Sequence, residues 1–180
     1  MQTLRTARLE LQPLNLEHAD LIFDLFQDNE LSTFTNRGGP ITRDEFREGV
    51  RYVAGRKSND GLRHLLNWEC IHRSTGELIG QIEVSMGVES RVLNLAYTIK
   101  RSHWRQGYAK ESCAAVIEHM FTVWGARKVG IEMDVRNVAS VRVAESLGAR
   151  RVAFKPKAMM LKGAWSDEYH YEILRPNTLH

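Results

Sequence analysis

One stretch limits what this chain can become: Ser102-His103-Trp104-Arg105-Gln106-Gly107-Tyr108-Ala109-Lys110-Glu111. Before it, residues 92–99 carry the apolar, β-branched and aromatic content of a strand. After it, Ala114, Val116, Ile117, Met120, Phe121 and Trp124 recur at helical spacing. The stretch is therefore a strand-to-helix turn with small residues at Gly107 and Ala109. The first N–H groups of a helix lack internal partners, and the helix dipole adds partial positive charge there. Such a turn suits an anion, a pyrophosphate above all. An ordinary strand–helix connection with a packing glycine fits the same residues.

The rest of the chain supplies elements on both sides of this turn. Residues 6–12 alternate Leu9 and Leu11 with polar neighbours, which predicts a first strand ending at Pro13. Asn15 is a helix N-cap candidate, and Leu16, Ala19, Ile22, Phe23 and Phe26 form one apolar face to about residue 28. Asn36-Arg37-Gly38-Gly39-Pro40 reads as a loop. Thr42-Arg43-Asp44-Glu45 fits a capping box for a helix running to Gly55. Strands follow at 65–71 and 78–85 around Ser74-Thr75-Gly76-Glu77, so an antiparallel meander leads into strand 92–99. Strand 92–99, helix 108–124 and strand 128–135 make a βαβ unit whose two strands run parallel. A helix opening at Asn137 or Val138 and closed by Gly148 comes next, with Val141, Ala144 and Leu147 inward. Two late strands at 151–155 and 168–174 flank the Lys162-Gly163 turn. No repeat or linker interrupts the pattern, so residues 1–180 read as a single domain.

Composition sets outer limits. With 180 residues, 43% hydrophobic and 26% charged, the chain is an ordinary globular one. No apolar run approaches the ~20 residues that span a bilayer, and a cytoplasmic location follows by default. Cys70 and Cys113 lack C-x-x-C spacing and read as buried, reduced residues. The seven histidines lack H-x-x-x-H spacing, so no metal site is expected. Between Lys100 and Lys157, twelve Lys/Arg face five Asp/Glu, a local excess that draws an anionic ligand. The same excess suits nucleic acid, but no aromatic-interleaved basic motif accompanies it.

Five segments in order resemble the GNAT (Gcn5-related) N-acetyltransferases, and within them the ribosomal-protein N-terminal acetyltransferases typified by RimJ and RimL. They are Thr6-Ala7-Arg8-Leu9-Glu10-Leu11 with Pro13-Leu14, Thr75-Gly76-Glu77-Leu78-Ile79-Gly80, Trp104-Arg105-Gln106-Gly107-Tyr108-Ala109, Asn137-Val138-Ala139-Ser140 with Leu147-Gly148, and Gly163-Ala164-Trp165-Ser166-Asp167. The resemblance implies an α+β, three-layer fold: a mixed, mostly antiparallel sheet with two splayed parallel strands and helices on both faces. It implies acetyl-CoA as acyl donor, with the pyrophosphate held by amides of Arg105, Gln106, Gly107, Tyr108, Ala109 and Lys110. Pantetheine is expected against Thr98, Ile99 and Asn137; a simple helix cap is the other reading of Asn137. The acceptor is an amine, a protein N-terminus or a small molecule such as an antibiotic, polyamine or amino-acid-like compound. No membrane partner is implied, nucleic acid enters only through a ribosomal substrate, and a monomer or homodimer is expected.

The chain departs from the family pattern in four places. Ala144 stands where other members carry a Tyr general acid, which leaves Ser140 as candidate proton donor to the thiolate, or as a hydroxyl serving the first helical turn. Asn94 stands where a carboxylate is common; Glu83 is then the candidate base, with Glu69 and Asp134 on nearby strands. Water as proton carrier is the alternative. Arg105 replaces a glycine, and Ala149 a phenylalanine. The missing acid and base positions also admit a CoA-binding module without catalysis.

Overall fold

The computed structural model describes residues 1–35, 42–54 and 57–176. The loop read at 36–40 and the helix end at Gly55 lie outside the described residues. In chain order the elements are β1 (Leu4–Arg5), β2 (Leu9–Pro13), a 3-10 turn (Leu16–His18), α1 (Ala19–Leu25), α2 (Arg43–Ala54), β3 (Arg63–His72), β4 (Leu78–Gly87) and β5 (Val92–Ile99). A second 3-10 turn (Arg101–His103), α3 (Tyr108–Thr122), β6 (Lys128–Asp134), α4 (Val138–Ser146), β7 (Arg150–Leu161) and β8 (Ala164–Leu174) follow.

The eight strands form one sheet in the order β1-β2-β3-β4-β5-β6-β8-β7. All neighbours run antiparallel except β5 and β6. Alternation along each strand separates two very different faces. Leu9, Leu11, Leu66, Trp68, Ile82, Val84, Met86, Leu93, Leu95, Val129, Ile131 and Tyr171 form the apolar face, packed on Cys113, Val116 and Met120 of α3. The opposite face, partly roofed by α1 and α2, presents Asn67, Glu69, Gln81, Glu83, Ser85, Asn94, Ala96 and Glu132. Polar groups under helices need hydrogen-bond partners, whereas the buried Ile22, Phe23, Leu25 and Val50 of α1 and α2 supply the apolar part of this layer.

The expected βαβ unit and antiparallel meander are present. The capping box holds, with Thr42 N–H donating to Glu45 Oε2 at 2.7 Å and Glu45 N–H to Thr42 Oγ1 at 3.2 Å. Helix α4 closes at Gly148, which sits at φ 79. Three expectations change. The first helix is short: Asn15 caps a 3-10 turn through Glu17 N–H, and α-helix starts only at Ala19. Leu16, expected inward, is 39% exposed. The late strands run up to the Lys162-Gly163 turn, because a register shift between Lys155 and Met159 absorbs the irregular residues and lets β7 resume pairing.

Candidate active site

The loop before α3 forms a backbone cradle. Arg105 lies at φ 59 and Gly107 at φ 83, so the chain turns twice through the left-handed region before the helix begins. Gly107 is the N-cap and has no side chain to satisfy the first-turn N–H groups, which stay open to a ligand. The distant N-terminal segment straps this cradle. Glu111 Oε1 accepts from Arg8 N–H at 2.8 Å and from the Thr6 hydroxyl at 2.5 Å, while Oε2 accepts from Arg8 Nε at 2.7 Å. Arg8 Nη1 donates to the Gln106 carbonyl at 2.9 Å, and its guanidinium lies 4.0 Å from the centre of the Tyr108 ring. Burial pushes the Glu111 carboxyl up, but the bonds from Thr6 and Arg8 outweigh it and hold the group below the usual carboxylate range. Tyr108 is 6% exposed with its hydroxyl 3.0 Å from His72 Nε2, so only its backbone is open to an anion. Arg105 and Lys110 side chains are exposed beside the turn.

Next to the cradle the sheet opens. Pairing of β5 with β6 covers only Val92–Lys128, Leu93–Val129 and Asn94–Gly130, although β5 continues to Ile99 and β6 to Asp134. Lys100 N–H donates to the Ile79 carbonyl at 2.7 Å, and the β4–β5 register runs without a slip from there. That fixes the alternation: Thr98 turns its backbone groups to β4, while Tyr97 and Ile99 turn theirs to the gap. The expectation for Thr98 is therefore corrected, since its amide is spent inside the sheet. Ile99 retains its place at the gap, where its carbonyl accepts from Trp104 Nε1 at 2.6 Å.

Ser140 and Glu83 stand on opposite sides of this opening. Asn137 Oδ1 accepts from Ser140 N–H at 3.1 Å, the helix-cap arrangement. The Ser140 hydroxyl accepts from Tyr97 OH at 3.1 Å, a bond from β5 to the start of α4 across the gap. Burial pushes the Tyr97 phenol well above its ordinary pKa, so it stays a neutral donor. Glu83 lines a cavity of about 320 Å³ on the polar face, with Val53, Leu65, Asn67, Ser85, Asn94, Ala96 and Glu132 among its walls. Two further carboxylates considered as bases are engaged elsewhere. Glu69 is fully buried and accepts from Asn15 N–H at 3.1 Å and pairs with His18 Nδ1, holding the first 3-10 turn. Asp134 is held down to about 2, chiefly by hydrogen bonds from the Arg136 side chain and also by Ser166.

Sequence reasoning missed Arg8, Tyr97 and Glu132. Arg8 and Glu111 lie 103 positions apart, and no local pattern joins them. Tyr97 was hidden as an apolar strand residue. Cys70 and Cys113 are free and buried, as expected, and burial pushes the Cys70 thiol up to about 12.

A phosphate cradle beside an interrupted parallel pair is the framework of an acyl-CoA-dependent transferase. The family model described as the acetyltransferase (GNAT) domain matches residues 8–150, and the chain belongs to that family. It is an N-acetyltransferase with acetyl-CoA as acyl donor, and the open α3 amides and the strand gap fit that molecule. The chain is 25% identical over 178 residues to "Uncharacterized N-acetyltransferase p20" of Bacillus licheniformis, covering 97% of each. It is 26% identical over 187 residues to the "FsC-acetyl coenzyme A-N(2)-transacetylase" of Aspergillus fumigatus, covering 98% of this chain and 78% of that one. A solved RimL ribosomal L7/L12 alpha-N-protein acetyltransferase in complex with coenzyme A has the same fold, with TM-score 0.86 at 18% identity, covering 96% and 98% of the two chains. No helix among the described residues is long and apolar enough to cross a membrane.

Proposed function

We propose that this protein acetylates the α-amine of a protein N-terminus, acting as one domain in the cytoplasm. The observation that carries the reading is the cavity on the polar face, which reaches across the strand gap from Glu83 to Glu132. An acceptor entering there meets an acetyl thioester held through the helix-side cradle. Two carboxylate walls receive an ammonium group, and Asn67, Ser85 and Asn94 offer donors and acceptors for the first peptide groups of an extended chain. Acetyl-CoA supplies the activated acyl group. On the chain's own side, amides 105–110 bind the pyrophosphate, the Ile99 N–H at the gap stabilises developing oxyanion charge, and Ser140 gives a proton to the departing thiolate. Tyr97 sharpens the last role: a hydroxyl accepting from Tyr97 has its own hydrogen free to point elsewhere.

The second reading is a small amine as acceptor, favoured by the fungal transacetylase among the relatives. Thiol release from acetyl-CoA, followed with serine-first and alanine-first hexapeptides, spermidine and an aminoglycoside, separates the two. Peptides with the highest kcat/KM support the proposal. Turnover of small amines alone overturns the N-terminal reading.

A further inference from the structure

On the polar face, just past the point where β5 and β6 separate, three ionisable side chains stand in line. Glu132 lies two residues beyond Gly130, the last β6 residue paired with β5, and lines the acceptor cavity. His170 is its direct cross-strand partner on β8. Glu168 precedes His170 by two residues and points to the same face. His170 Nδ1 lies 3.4 Å from Glu132 Oε1, and its Nε2 lies 3.4 Å from Glu168 Oε2. Exposure falls along the line, from 46% for the Glu132 side chain to 14% for His170 and 14% for Glu168. His170 Nε2 is buried with no hydrogen-bond partner. None of the five segments resembling the family includes Glu132, Glu168 or His170.

We infer that Glu132 takes the proton from the acceptor ammonium and that His170 and Glu168 relay it inward; the inference rests on the acetyltransfer reading above. An imidazole between two carboxylates accepts a proton on one nitrogen and releases one from the other. The ammonium N–H proton passes to the Glu132 carboxylate and on to His170 Nδ1, while the Nε2 proton passes to Glu168. The neutral amine forms its N–C bond as the C–S bond breaks, and sulfur keeps that electron pair. The second amine proton returns to the Ser140 oxygen, directly or through water, as Ser140 gives its own to sulfur; Glu168 then gives the relayed proton to solvent, so one proton is released per acetyl group transferred. Glu132 is the catalytic residue here; His170 and Glu168 position and discharge it. One oxygen of each carboxylate and one imidazole nitrogen also lie within 4.8 Å of one another, a spacing a divalent cation accepts. The 3.4 Å contact of each imidazole nitrogen with a different carboxylate carries the proton path, and the chelator arm of the test separates the two.

Other charges facing the line are Lys155 opposite Glu168 on β7, the Lys128–Glu172 pair further along the face, Asp134 with its Arg136 partner, and Glu83 across the cavity. They bear on any pH profile; all but Glu83 are unchanged in the variants, and Glu83→Gln measures its share.

The test is thiol release from acetyl-CoA between pH 6 and 9.5, with a serine-first hexapeptide and with spermidine, for wild type, Glu132→Gln, His170→Gln, Glu168→Gln and Glu83→Gln. Base removal costs on the order of 100-fold in kcat. We expect that loss near pH 7 for Glu132→Gln and a smaller one, about tenfold, for His170→Gln, with KM for acetyl-CoA unchanged. Both losses shrink as pH rises past the amine's own pKa, about 8 for an α-amine, where free amine needs no base. Glu83→Gln raises KM for the amine without that pH-dependent recovery. A loss equal at every pH, or none, overturns the relay while leaving the acetyltransferase reading intact. Wild-type activity abolished by a chelator and restored by zinc makes the cluster a metal site and overturns it. Wild type that binds acetyl-CoA but acetylates neither probe overturns the reading and the relay together.

Discussion

The two sides of the strand gap are built on opposite plans. On the helix side, side chains hold each other: Arg8 grips Glu111 and the Gln106 carbonyl, His72 ties Tyr108, and Asn137 caps the helix that carries Ser140. What remains for a ligand is mostly backbone. On the other side, backbone is spent in the sheet, and the cavity wall is made of side chains, Asn67, Glu83, Ser85, Asn94 and Glu132. The difference teaches where specificity lies. A cradle of amides binds the same donor whatever the side chains, whereas a pocket of side chains changes its acceptor with each substitution.

The hardest blow to this contrast is Gly107→Val. The space is there, since an added Cβ meets nothing nearer than Arg8 Nη2 at 3.5 Å, but φ 83 is not open to a β-branched residue. The loop must rearrange, and we expect roughly a 100-fold loss of acetyl-CoA affinity by calorimetry, from ~3 kcal/mol of backbone strain at most. Retained affinity in folded protein would remove the amide cradle from the donor site.

A smaller effect separates a structural carboxylate from a working one. Asp134 titrates near 2 when folded against ~3.9 unfolded, so it contributes about 2 kcal/mol at neutral pH. Its folded pKa is depressed, so that stability is present above about pH 4 and lost as pH falls toward about 2. Urea titration should find Asp134→Asn destabilised by that amount at pH 7, with the difference closing on acidification. A constant difference across pH would mean that shape rather than charge is at stake.

Ser140→Ala tests whether the helix side does chemistry as well as binding. We expect about a tenfold fall in kcat, less than acid catalysis usually contributes because thiolate leaves readily, with acetyl-CoA affinity nearly unchanged. An unaltered kcat would return the Ser140 hydroxyl to a purely structural role. The smallest effect belongs to Arg105→Gly. A non-glycine residue at φ 59 carries on the order of 1 kcal/mol of strain, so thermal unfolding should rise slightly; an unchanged or lower midpoint would show that the guanidinium offsets it.

The contrast also explains what could be read from sequence. The cradle is local, a strand, turn and helix within 92–124, and its glycine and periodicity survive in one dimension. Asn137, Ser140 and Gly148 were legible for the same reason. The gap was expected only through resemblance, because pairing that stops after Asn94–Gly130 leaves no local mark. Thr98 was misassigned because which amide faces the gap depends on the β4–β5 register, a non-local fact. Arg8, Tyr97 and the Glu132–His170 contact each join segments far apart in the chain. Leu16 went astray because a 3-10 turn rotates side chains differently from the α-helix assumed for it.

Three residue pairs between β5 and β6 hold the five-stranded arm, β1 to β5, to the three-stranded arm, β6, β8 and β7. The sheet is thus a seam more than a slab, and much of its closure falls to two helices: α3 packs on β4 and β5, and α4 packs on both α3 and β6. An amide-rich guest lying in the open length supplies the missing rungs. On the proposed placement of acetyl-CoA in that gap, the donor is part of the architecture while it is bound, and each turnover begins and ends with a protein whose midline is partly unlaced.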